Sequence, residues 1–326
     1  MIQSRNYRYW KPAVNNVKRI KPNSSMLQTS LVEYSLLERF LGQVFSKADI
    51  SFETQLEYQA RSIEFMHLLQ MQGVNINSLL DYKRLLATDN STSVSTKNKR
   101  LTVARLILRE AYRRGMLDRD ITVGVKNFKQ SGLHKTNGLD SRDIKKIRDW
   151  FHDGQPLTSR RIRTYALLLL LSYQGFRQIE ICRLRYEDID FNNSRAMVQG
   201  KGQHDKQPVH LHEAVIEILR LYCAEYAVAS GPLFFSTSNS SYGMPLTTRG
   251  LRRIVMTVLE RLEIDRTVHG FRHYYCTQLV KAYRGDLFRV MQFTRHKNLA
   301  MLQVYNDEVL HEAQYPIHDR IFTGVL

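Results

Sequence analysis

Apolar residues in the first half of the chain recur every three or four positions, which is the spacing of one helix face. This pattern predicts a helix over residues 29–45. Ser51 is placed to cap a second helix that continues to about residue 72 and ends at Gly73. The apolar positions of that second helix are Tyr58, Ile63, Phe65, Met66 and Leu69.

Two further helices are predicted in the first half. The first is short and covers residues 77–87. After the polar loop 88–96, the second starts at Ser95 or Thr96 and ends at Gly115. We therefore expect the first half to be helical. The apolar positions of the last helix are Leu101, Ala104, Leu108, Ala111 and Tyr112.

A polar stretch with glycines, residues 127–140, lacks any apolar period and is interpreted as an interdomain linker. Asp140 or Ser141 then caps a helix that runs to about His152. The next apolar segment, residues 159–174, is predicted to be a buried helix. The second half therefore also begins with helices.

A β-hairpin is predicted next. Residues 195–199 form one strand, GKGQHDK is the turn, and PVHLH (residues 208–212) returns as the partner strand. Helices follow over about 213–229 and 247–263, with the short strand PLFFS between them, and residues 269–326 are mostly helical. The chain is therefore predicted to be mainly α with a small β-sheet, an α+β fold.

The charge of the chain indicates a polyanionic partner. Lysine and arginine number 48 against 31 aspartates and glutamates, which leaves a formal charge of +17. Residues 1–134 and residues 135–326 are both basic, so a single charged tail does not explain the surplus. Nucleic acid is the common reason for such a surplus, because basic side chains neutralise phosphates.

Basic residues concentrate in two stretches, residues 1–22 and 97–129. In the second, Arg105, Arg109 and Arg113 repeat every four residues and share one helix face. That face suits a track of phosphates, although a solvated helix face is the alternative interpretation. The candidate DNA-binding residues are Lys97, Lys99, Arg100, Arg105, Arg109 and Arg113, with Arg249 and Arg252 on the predicted helix 247–263.

Several classes of protein are excluded. Cys182, Cys223 and Cys276 form no CxxC pair, which argues against a disulfide framework and a cysteine-rich zinc site. The longest apolar run, residues 165–171, is too short to span a bilayer, and the N-terminus lacks the apolar core of a secretory signal. We expect a soluble, intracellular protein that does not contact membranes.

Six residues of the second half carry groups suited to chemistry on a phosphate. Taken alone, each is more simply explained as structural or solvated. Their order, spacing and neighbours together make them a candidate site; His269 and Arg272, for example, are three residues apart and share a helix face. The six residues are Arg177, Lys201, His269, Arg272, His296 and Tyr305.

The neighbouring residues resemble the motifs of tyrosine recombinases, the family of phage integrases, Xer recombinases and Cre-like enzymes. The family's G-x-R-x-x-E is matched by GFRQIEI, with Glu180 at the acidic position, and its hairpin G-K-G-x-K by GKGQHDK. Its H-x-L-R-H-x-x-A-T is matched by HGFRHYYCT, and its histidine with a tyrosine nine residues later by RHKNLAMLQVY. Residues from about Ser51 to Phe128 look like the family's helical core-binding domain.

Several positions depart from the family pattern, among them a threonine where leucine is common. Phe271 replaces the usual leucine before the motif arginine, and Arg295 replaces the usual glycine before the second histidine. Two consequences are open for Arg295: an added phosphate contact, or an altered presentation of His296. The second basic residue of the hairpin comes late, at Lys206, so Lys201 is the better candidate for the active lysine.

The chain is expected to have three parts, of which the resemblance covers the last two. Residues 1–48 are a basic extension with a helix and no assigned role; an arm-site DNA-binding segment, a protein-contacting helix and a mere extension are all open. Residues 49–134 are a helical, SAM-like core-binding domain that contacts DNA. Residues 135–326 are the mixed α/β catalytic domain with a C-terminal tail. In the family, the two domains form a C-shaped clamp around the duplex.

The resemblance also implies the chemistry. Tyr305 attacks the DNA phosphate and forms a 3′-phosphotyrosine, which keeps the energy of the broken bond for rejoining. Arg177 and Arg272 clamp the non-bridging oxygens, where negative charge develops in the transition state. Two permanent cations do the work that a metal does elsewhere, so neither a metal nor a cofactor is expected.

Four further residues have supporting roles by resemblance. Lys201 is the general acid for the leaving 5′-oxygen. His269 helps to accept the tyrosine proton or orients the phosphate, and His296 hydrogen-bonds the phosphate. Glu180 orders its neighbours and does not react.

The implied partners are a double-stranded DNA recombination site and further copies of the chain. In this family the tail usually docks on a neighbouring protomer, giving a tetramer on two DNA sites. Phe322, Val325 and Leu326 are candidate anchors, and packing of the tail on its own domain is the alternative. Accessory DNA-binding proteins are possible partners, and we expect a cytoplasmic, nucleoid-associated location. The basic extension favours integration or excision of a mobile element.

Two other hypotheses stay open. A catalytically silent DNA-binding regulator on the same fold has no chemical need for Lys201 or Tyr305, so the complete set of residues argues against it. The nearer alternative is another tyrosine-based DNA-breaking enzyme, a type IB topoisomerase or a telomere resolvase. Its products distinguish it: relaxed circles or hairpin ends in place of exchanged strands.

Overall fold

The chain divides into two compact units, Met1–Gly132 and Leu133–Leu326. The division falls close to the boundary expected at residue 134. Most of the helix predicted over 29–45, the centre of the linker and the tail anchors lie outside the described residues. The computed structural model describes residues 41–45, 50–130, 138–200, 202–203, 205–307 and 309.

Helices make up most of the described part of the first unit, as the sequence predicts. Residues 41–45 are helical, and Ser51 caps the next helix by accepting a hydrogen bond from the Thr54 N–H at 3.3 Å. Gly73 ends that helix with a positive φ of 71°, which glycine adopts easily. The helices with described bounds are α1 (Phe52–Gln72), α2 (Ser78–Thr88) and α3 (Val94–Arg113).

The first unit differs from the prediction at two points: the exposure of Ile63 and the start of helix α3. The rings of Phe65 and Tyr82 pack 4.9 Å apart at its centre. Ile63, expected on the apolar face of α1, is exposed because it lies two residues from Phe65 and so points to the opposite side of the helix. Helix α3 begins before the predicted Ser95, because the Ser93 hydroxyl caps it.

The second unit is built around one buried helix. Asp140 caps the first helix of the unit through a capping box, as expected. The buried helix, α5, packs against all the helices from α4 to α9, and Leu167, Leu168 and Leu170 within it are fully buried. The helices are α4 (Ser141–Phe151), α5 (Ser159–Tyr173), α6 (Gln178–Arg183), α7 (Glu213–Glu225), α8 (Thr248–Arg261), α9 (Val268–Ala282), α10 (Leu287–Thr294) and a further helix over residues 300–307.

A three-stranded antiparallel sheet completes the second unit. Its strands, β1 (Ile189–Asp190), β2 (Arg195–Gln199) and β3 (Lys206–His210), lie in the order β1-β2-β3. Strand β2 matches the prediction, β3 begins before the predicted PVHLH, and β1 was not predicted. The observed mainly α-helical fold with a small sheet confirms the predicted fold class. No helix among the described residues has the length and apolarity needed to cross a membrane.

The predicted strand PLFFS, residues 232–236, was wrong. Pro232 forms an isolated bridge with Arg185, and Phe235 forms another with Pro245. Arg185 and Pro245 belong to different segments of the chain. Successive residues of 232–236 therefore do not pair along one neighbouring strand. The apolar run is instead an irregular segment, with Leu233 and Phe234 buried in the core.

Candidate active site

Five of the six candidate residues lie on four separate segments of the second unit. Arg177 precedes α6, His269 and Arg272 lie in the first turns of α9, His296 follows α10, and Tyr305 lies in the helix over residues 300–307. The sixth, Lys201, lies outside the described residues. Folding therefore brings together groups that are far apart in sequence.

The Arg272 guanidinium is buried and held by neutral acceptors. Its Nη1 donates to the Gly175 carbonyl at 2.6 Å, and its Nη2 donates to the Thr294 carbonyl and contacts His296 Nε2 at 3.2 Å. No carboxylate in the described residues forms an ion pair with it. Burial, with smaller effects from neighbouring charges, lowers the pKa of Arg272 to about 10, so the guanidinium keeps its charge at neutral pH.

The carbonyl that holds Arg272 belongs to a glycine that no other residue replaces easily. Gly175 has φ 55°, a conformation that L side chains rarely adopt. A β-carbon at this position would lie 2.2 Å from the ring of Tyr275. The glycine of GFRQIEI thus allows the chain to turn closely past α9 and to present its carbonyl to Arg272.

His296 is a buried neutral imidazole with a defined tautomer. Burial, reinforced by the charges of Arg272 and Arg177, lowers the pKa of His296 to about 3. Arg272 has only donors, so Nε2 of His296 must accept, and Nδ1 carries the proton and donates to Thr294 Oγ1 at 2.8 Å. In this arrangement His296 helps to orient Arg272.

Arg177 is fixed by a buried carboxylate. Its Nη1 donates to Glu180 Oε1 at 2.8 Å, and its backbone N–H donates to Glu180 Oε2 at 2.9 Å. The Glu180 side chain has no exposed surface, whereas that of Arg177 is 28% exposed. Burial alone would raise the pKa of Glu180, but the charge of Arg295 and the hydrogen bonds from Arg177 outweigh it and lower the pKa.

Arg295 reaches the same carboxylate from the other side. Its Nη2 lies 3.0 Å from Glu180 Oε2, and its guanidinium lies over the Phe176 ring, 4.8 Å from the centroid. The side chain is only 9% exposed. Of the two consequences left open by the sequence, this inward orientation favours an effect inside the protein over an added phosphate contact.

His269 remains open to solvent at the start of α9. Partial burial, together with the positive charges of Arg272 and Arg177, lowers its pKa. The imidazole is therefore neutral near neutral pH and able to accept a proton. It is the one candidate histidine that combines exposure with this property, because His296 is buried.

Tyr305 is buried within a small apolar cluster and contacts two groups that the motif comparison did not single out. It packs in one buried cluster with Cys276, and burial, with a smaller effect of the nearby thiol, raises its pKa, so the phenol is protonated over the neutral range. The His273 ring meets the Tyr305 ring edge-on, with centroids 4.8 Å apart. His273 also packs against Gly138, where a β-carbon would lie 2.5 Å from its Nδ1.

The hairpin that carries Lys201 is described on both sides of that residue. Gly202 has φ 66°, and the Gly200 carbonyl accepts a hydrogen bond from Arg183 Nη1 at 3.1 Å. Lys206 forms an ion pair with Asp188, a side chain that is only 8% exposed. Because a carboxylate engages Lys206, Lys201 remains the better candidate for the active lysine.

Two of the predicted DNA-binding residues on α3 point into the first unit. Lys97 is buried, with its Nζ 5.7 Å from the centroid of the Phe128 ring. Arg105 donates to Asn127 Oδ1 at 2.7 Å and to the Val125 carbonyl at 2.8 Å. Both side chains hold the segment that follows α3, which is a structural role that helix periodicity did not reveal.

The other predicted DNA-binding residues face solvent to different degrees. Lys99 is 60% exposed and lies 3.9 Å from Glu57, and Arg100 is 27% exposed and bound to Glu64 at 2.8 Å. The remaining four side chains, on α3 and α8, are also exposed; they are Arg109, Arg113, Arg249 and Arg252.

The structure adds four contacts that the sequence did not predict: Gly175, Thr294, Cys276 and His273. All four are neighbours of motif residues, which was the only signal available in the sequence. All three cysteines are free, and burial raises the thiol pKa of Cys182 to about 12 and that of Cys223 to about 11. Within the described ranges, no group of three His, Cys, Asp or Glu side chains is arranged to hold a metal ion.

The model of the phage integrase family matches residues 137–311, which is more than half of the chain and includes all six candidate residues. The chain belongs to the phage integrase family. The protein is therefore an enzyme of the tyrosine recombinase type, which acts in site-specific DNA recombination. A relative, tyrosine recombinase XerC of Lactobacillus delbrueckii subsp. bulgaricus, is 25% identical over 288 residues, which cover 83% of this chain and 93% of that protein.

Solved structures of other phage integrase family members share the fold. The XerH site-specific recombinase, in a post-cleavage complex with its palindromic difH substrate, gives a TM-score of 0.67 at 17% identity, covering 82% of this chain and 80% of XerH. The lambda integrase, as a tetramer bound to a Holliday junction, gives a TM-score of 0.63 at 16% identity, covering 83% and 76%.

Proposed function

We propose that the protein cuts and rejoins DNA at a specific site through a 3′-phosphotyrosine formed by Tyr305, in the integration or excision of a mobile element. The observation that carries the chemistry is the buried Arg272 guanidinium, held by two carbonyls and His296 beside the proposed nucleophile's cluster. Neutral partners leave its full positive charge for a phosphate. The basic stretch of residues 1–22 and the family membership support the mobile-element role.

In the proposed step, the Tyr305 oxygen forms a bond to phosphorus while the bond from phosphorus to the 5′-oxygen breaks. Lys201 gives a proton to the leaving oxygen. The tyrosine proton passes to neutral His269, whose lowered pKa leaves it free to accept. Attack by a 5′-hydroxyl of the partner strand on the phosphotyrosine reverses these transfers and rejoins the DNA.

Arg177 and Arg272 stabilise the transition state in this proposal. The two guanidiniums come from different segments, so they approach the phosphate from different directions. Each offers several donors in a planar fork that matches phosphate oxygens. The water-poor surroundings of Arg272, which is 2% exposed, strengthen its interaction with the charge that develops there.

The buried position of Tyr305 is a resting arrangement in this proposal. Its side chain packs beside Cys276 in a buried cluster, and its raised pKa keeps the proton on the oxygen. Attack on a phosphate requires the hydroxyl to leave this cluster and turn toward the arginines. Binding of the DNA phosphate between Arg177 and Arg272 supplies the charge that draws it there.

DNA recognition is proposed to involve both units, with residues 49–134 as the core-binding domain. Exposed basic side chains such as Arg113, Arg249 and Arg252 would neutralise phosphates and set the register. A footprint of about 6–10 phosphates predicts that affinity falls about 10³–10⁵-fold from 50 to 200 mM salt. We also propose a tetramer on two DNA sites, with the tail beyond Tyr305 exchanged between protomers.

A suicide-substrate assay tests the chemistry. Nicked duplexes from the flanks of the gene are mixed with protein in EDTA, and an SDS-resistant protein–DNA adduct is measured. Wild type and Tyr242→Phe, a control at an exposed tyrosine, are expected to form the adduct, and Tyr305→Phe is not. Salt-sensitive binding without any adduct from wild type, with one site or with two, would favour the silent DNA-binding regulator.

The reaction products separate the remaining alternatives. Exchange of strands between two labelled duplexes supports recombination. Relaxation of a supercoiled plasmid without a specific site would indicate a type IB topoisomerase, and hairpin ends would indicate a telomere resolvase.

A further inference from the structure

Arg295 adopts a backbone conformation that glycine adopts far more easily. It ends α10 at φ 57° and ψ 35°, with its N–H bonded to the Met291 carbonyl at 3.1 Å. The β-carbon of an L-residue crowds the carbonyl in this left-handed region. The family pattern has glycine at this position, so the protein tolerates backbone strain there, and the side chain is the feature to explain.

The Arg295 side chain is directed into the protein, toward Glu180. Its Nη2 lies 3.0 Å from Glu180 Oε2, its Nη1 donates to the Phe293 carbonyl at 3.2 Å, and its plane lies over the Phe176 ring. The cation–π contact with Phe176 and the two polar contacts together fix the direction of the side chain. Unlike Arg272, whose partners are neutral, Arg295 is paired with a carboxylate that a phosphate would have to displace, so it is poorly placed to bind DNA itself.

Glu180 is shared between two arginines. Oε1 binds the Arg177 guanidinium, while Oε2 binds both the Arg177 backbone N–H and the Arg295 guanidinium. If Arg177 were the only counter-ion, the pair would be close to neutral and the carboxylate would compete with a phosphate for Arg177. With Arg295 present, the three side chains carry a net charge of +1.

We propose that Arg295 is a positioning residue for DNA cleavage, which holds Glu180 so that this carboxylate orients Arg177 without neutralising it. Because Arg295 directly precedes His296, the same contact ties the histidine loop to the start of α6. The inference rests on the proposed role of Arg177 in binding the scissile phosphate. Arg295 itself touches neither the DNA nor the nucleophile.

Arg295→Gly is expected to slow cleavage of bound suicide substrate by about 10- to 100-fold, the range seen when a positioning partner is lost. DNA affinity is expected to change much less than the rate, because most of the proposed phosphate contacts lie outside this site. Arg295→Lys keeps the charge and is expected to recover part of the rate. Arg295→Asn, which also tolerates the left-handed conformation, should match the glycine variant.

Arg284→Gly is the matched control. Arg284 is also an arginine in the left-handed region just beyond a helix, at φ 51°, and its side chain is exposed. The substitution removes the same charge and relieves the same backbone conformation away from Glu180. The cleavage rate of this variant is expected to equal that of wild type.

A double-mutant cycle with Glu180→Gln tests whether Arg295 acts through Glu180. If it does, Arg295→Gly costs much less rate in the Glu180→Gln background than in wild type, because their shared interaction is already lost. Added guanidinium chloride, compared with equal sodium chloride, is expected to restore part of the rate of Arg295→Gly only. Thermal unfolding confirms that each variant is folded.

Three results would overturn the inference while leaving the proposed function intact. The first is a wild-type cleavage rate in both Arg295→Gly and Arg295→Asn. The second is an equal fall in rate on Arg295→Gly substitution with and without Glu180→Gln. The third is a fall in rate in Arg284→Gly as large as that in Arg295→Gly. The absence of any adduct from wild type would instead count against the proposed function.

Discussion

Surface arginines of the first unit and the buried Arg272 of the second unit are held in different ways. In the first unit, guanidiniums pair with carboxylates near the surface; the pairs include Arg61–Glu57, Arg100–Glu64 and Arg113–Glu110. In the second unit, Arg272 is buried and bound to two carbonyls and a neutral imidazole. The first arrangement cancels charge, whereas the second preserves it.

The difference teaches what each arrangement is good for. An exposed ion pair contributes little to stability and leaves arginines that exchange partners readily, as a surface that meets DNA requires. A buried cation without a counter-ion lowers stability but retains its full charge at a fixed place. Strongly perturbed groups of this kind concentrate where chemistry is done.

The largest expected effect comes from changing the shape of the buried cation. Arg272→Lys keeps the charge but lacks the fork that spans two carbonyls and a phosphate, so we expect adduct formation to fall about 10³-fold. Arg100→Lys, the matched change in the first unit, is expected to leave the rate on bound DNA unchanged. Single-turnover cleavage of the suicide substrate measures the rates of both variants. Similar losses in the two would contradict the distinction between the buried and the surface arginine.

A smaller loss of cleavage rate is expected when the Gly175 carbonyl, which accepts a hydrogen bond from Arg272, is displaced. In Gly175→Ala the new β-carbon would meet the Tyr275 ring, so the carbonyl shifts and the cleavage rate falls about 10²-fold. Gly231→Ala is the control, because Gly231 also has a positive φ, 78°, but has open space where the β-carbon would lie. Equal cleavage by the two variants would show that the Gly175 carbonyl does not position Arg272.

The buried imidazole makes stability depend on pH. His296 has a pKa of about 3 when folded and about 6.5 when unfolded, so below pH 6.5 the unfolded chain binds a proton that the folded chain does not. The free energy of unfolding therefore falls as the pH falls. From pH 7 to pH 5 we expect wild type to lose about 2 kcal/mol more than His296→Gln in urea unfolding. Parallel losses in the two proteins would contradict the buried neutral state.

The smallest expected effect lies on the surface of the first unit. Arg113 is 77% exposed, so its release from Glu110 for a phosphate costs little. Arg113→Gln is expected to reduce the slope of log affinity against log salt by about 1 and to leave cleavage of bound DNA unchanged. Arg105→Gln is the contrasting variant, since Arg105 is engaged by Val125 and Asn127 and its loss should lower the unfolding temperature. An unchanged slope for Arg113→Gln would remove it from the DNA surface.

The elements of the fold follow from local signals, which is why most were predictable. Caps such as Ser51 and Asp140, and glycines with positive φ such as Gly73, act within a few residues and are visible in the sequence. PLFFS failed because the pairing of a strand depends on what lies beside it. Its neighbours, Arg185 and Pro245, are distant in sequence and on different segments.

The same difference between local signals and contacts with distant segments applies to the candidate site. The candidate residues were singled out by their order, spacing and neighbours, but partners on other segments, such as the Thr294 carbonyl for Arg272, were not. Arg295 shows this best: its inward orientation depends on Glu180 and Phe176, which lie more than a hundred residues earlier. Lys97 gives the converse case, since a lysine in a basic stretch proved to be buried beside Phe128.

The contact between Gly138 and His273 has a consequence for engineering. The main chain at Gly138 presses on a ring that in turn lies against the proposed nucleophile, Tyr305. Chimeras that graft a new DNA-reading module onto this catalytic unit should therefore be joined before Gly138. A junction that replaces Gly138 with a larger residue would displace the His273 ring. It would therefore alter the position of Tyr305 as well as the DNA specificity.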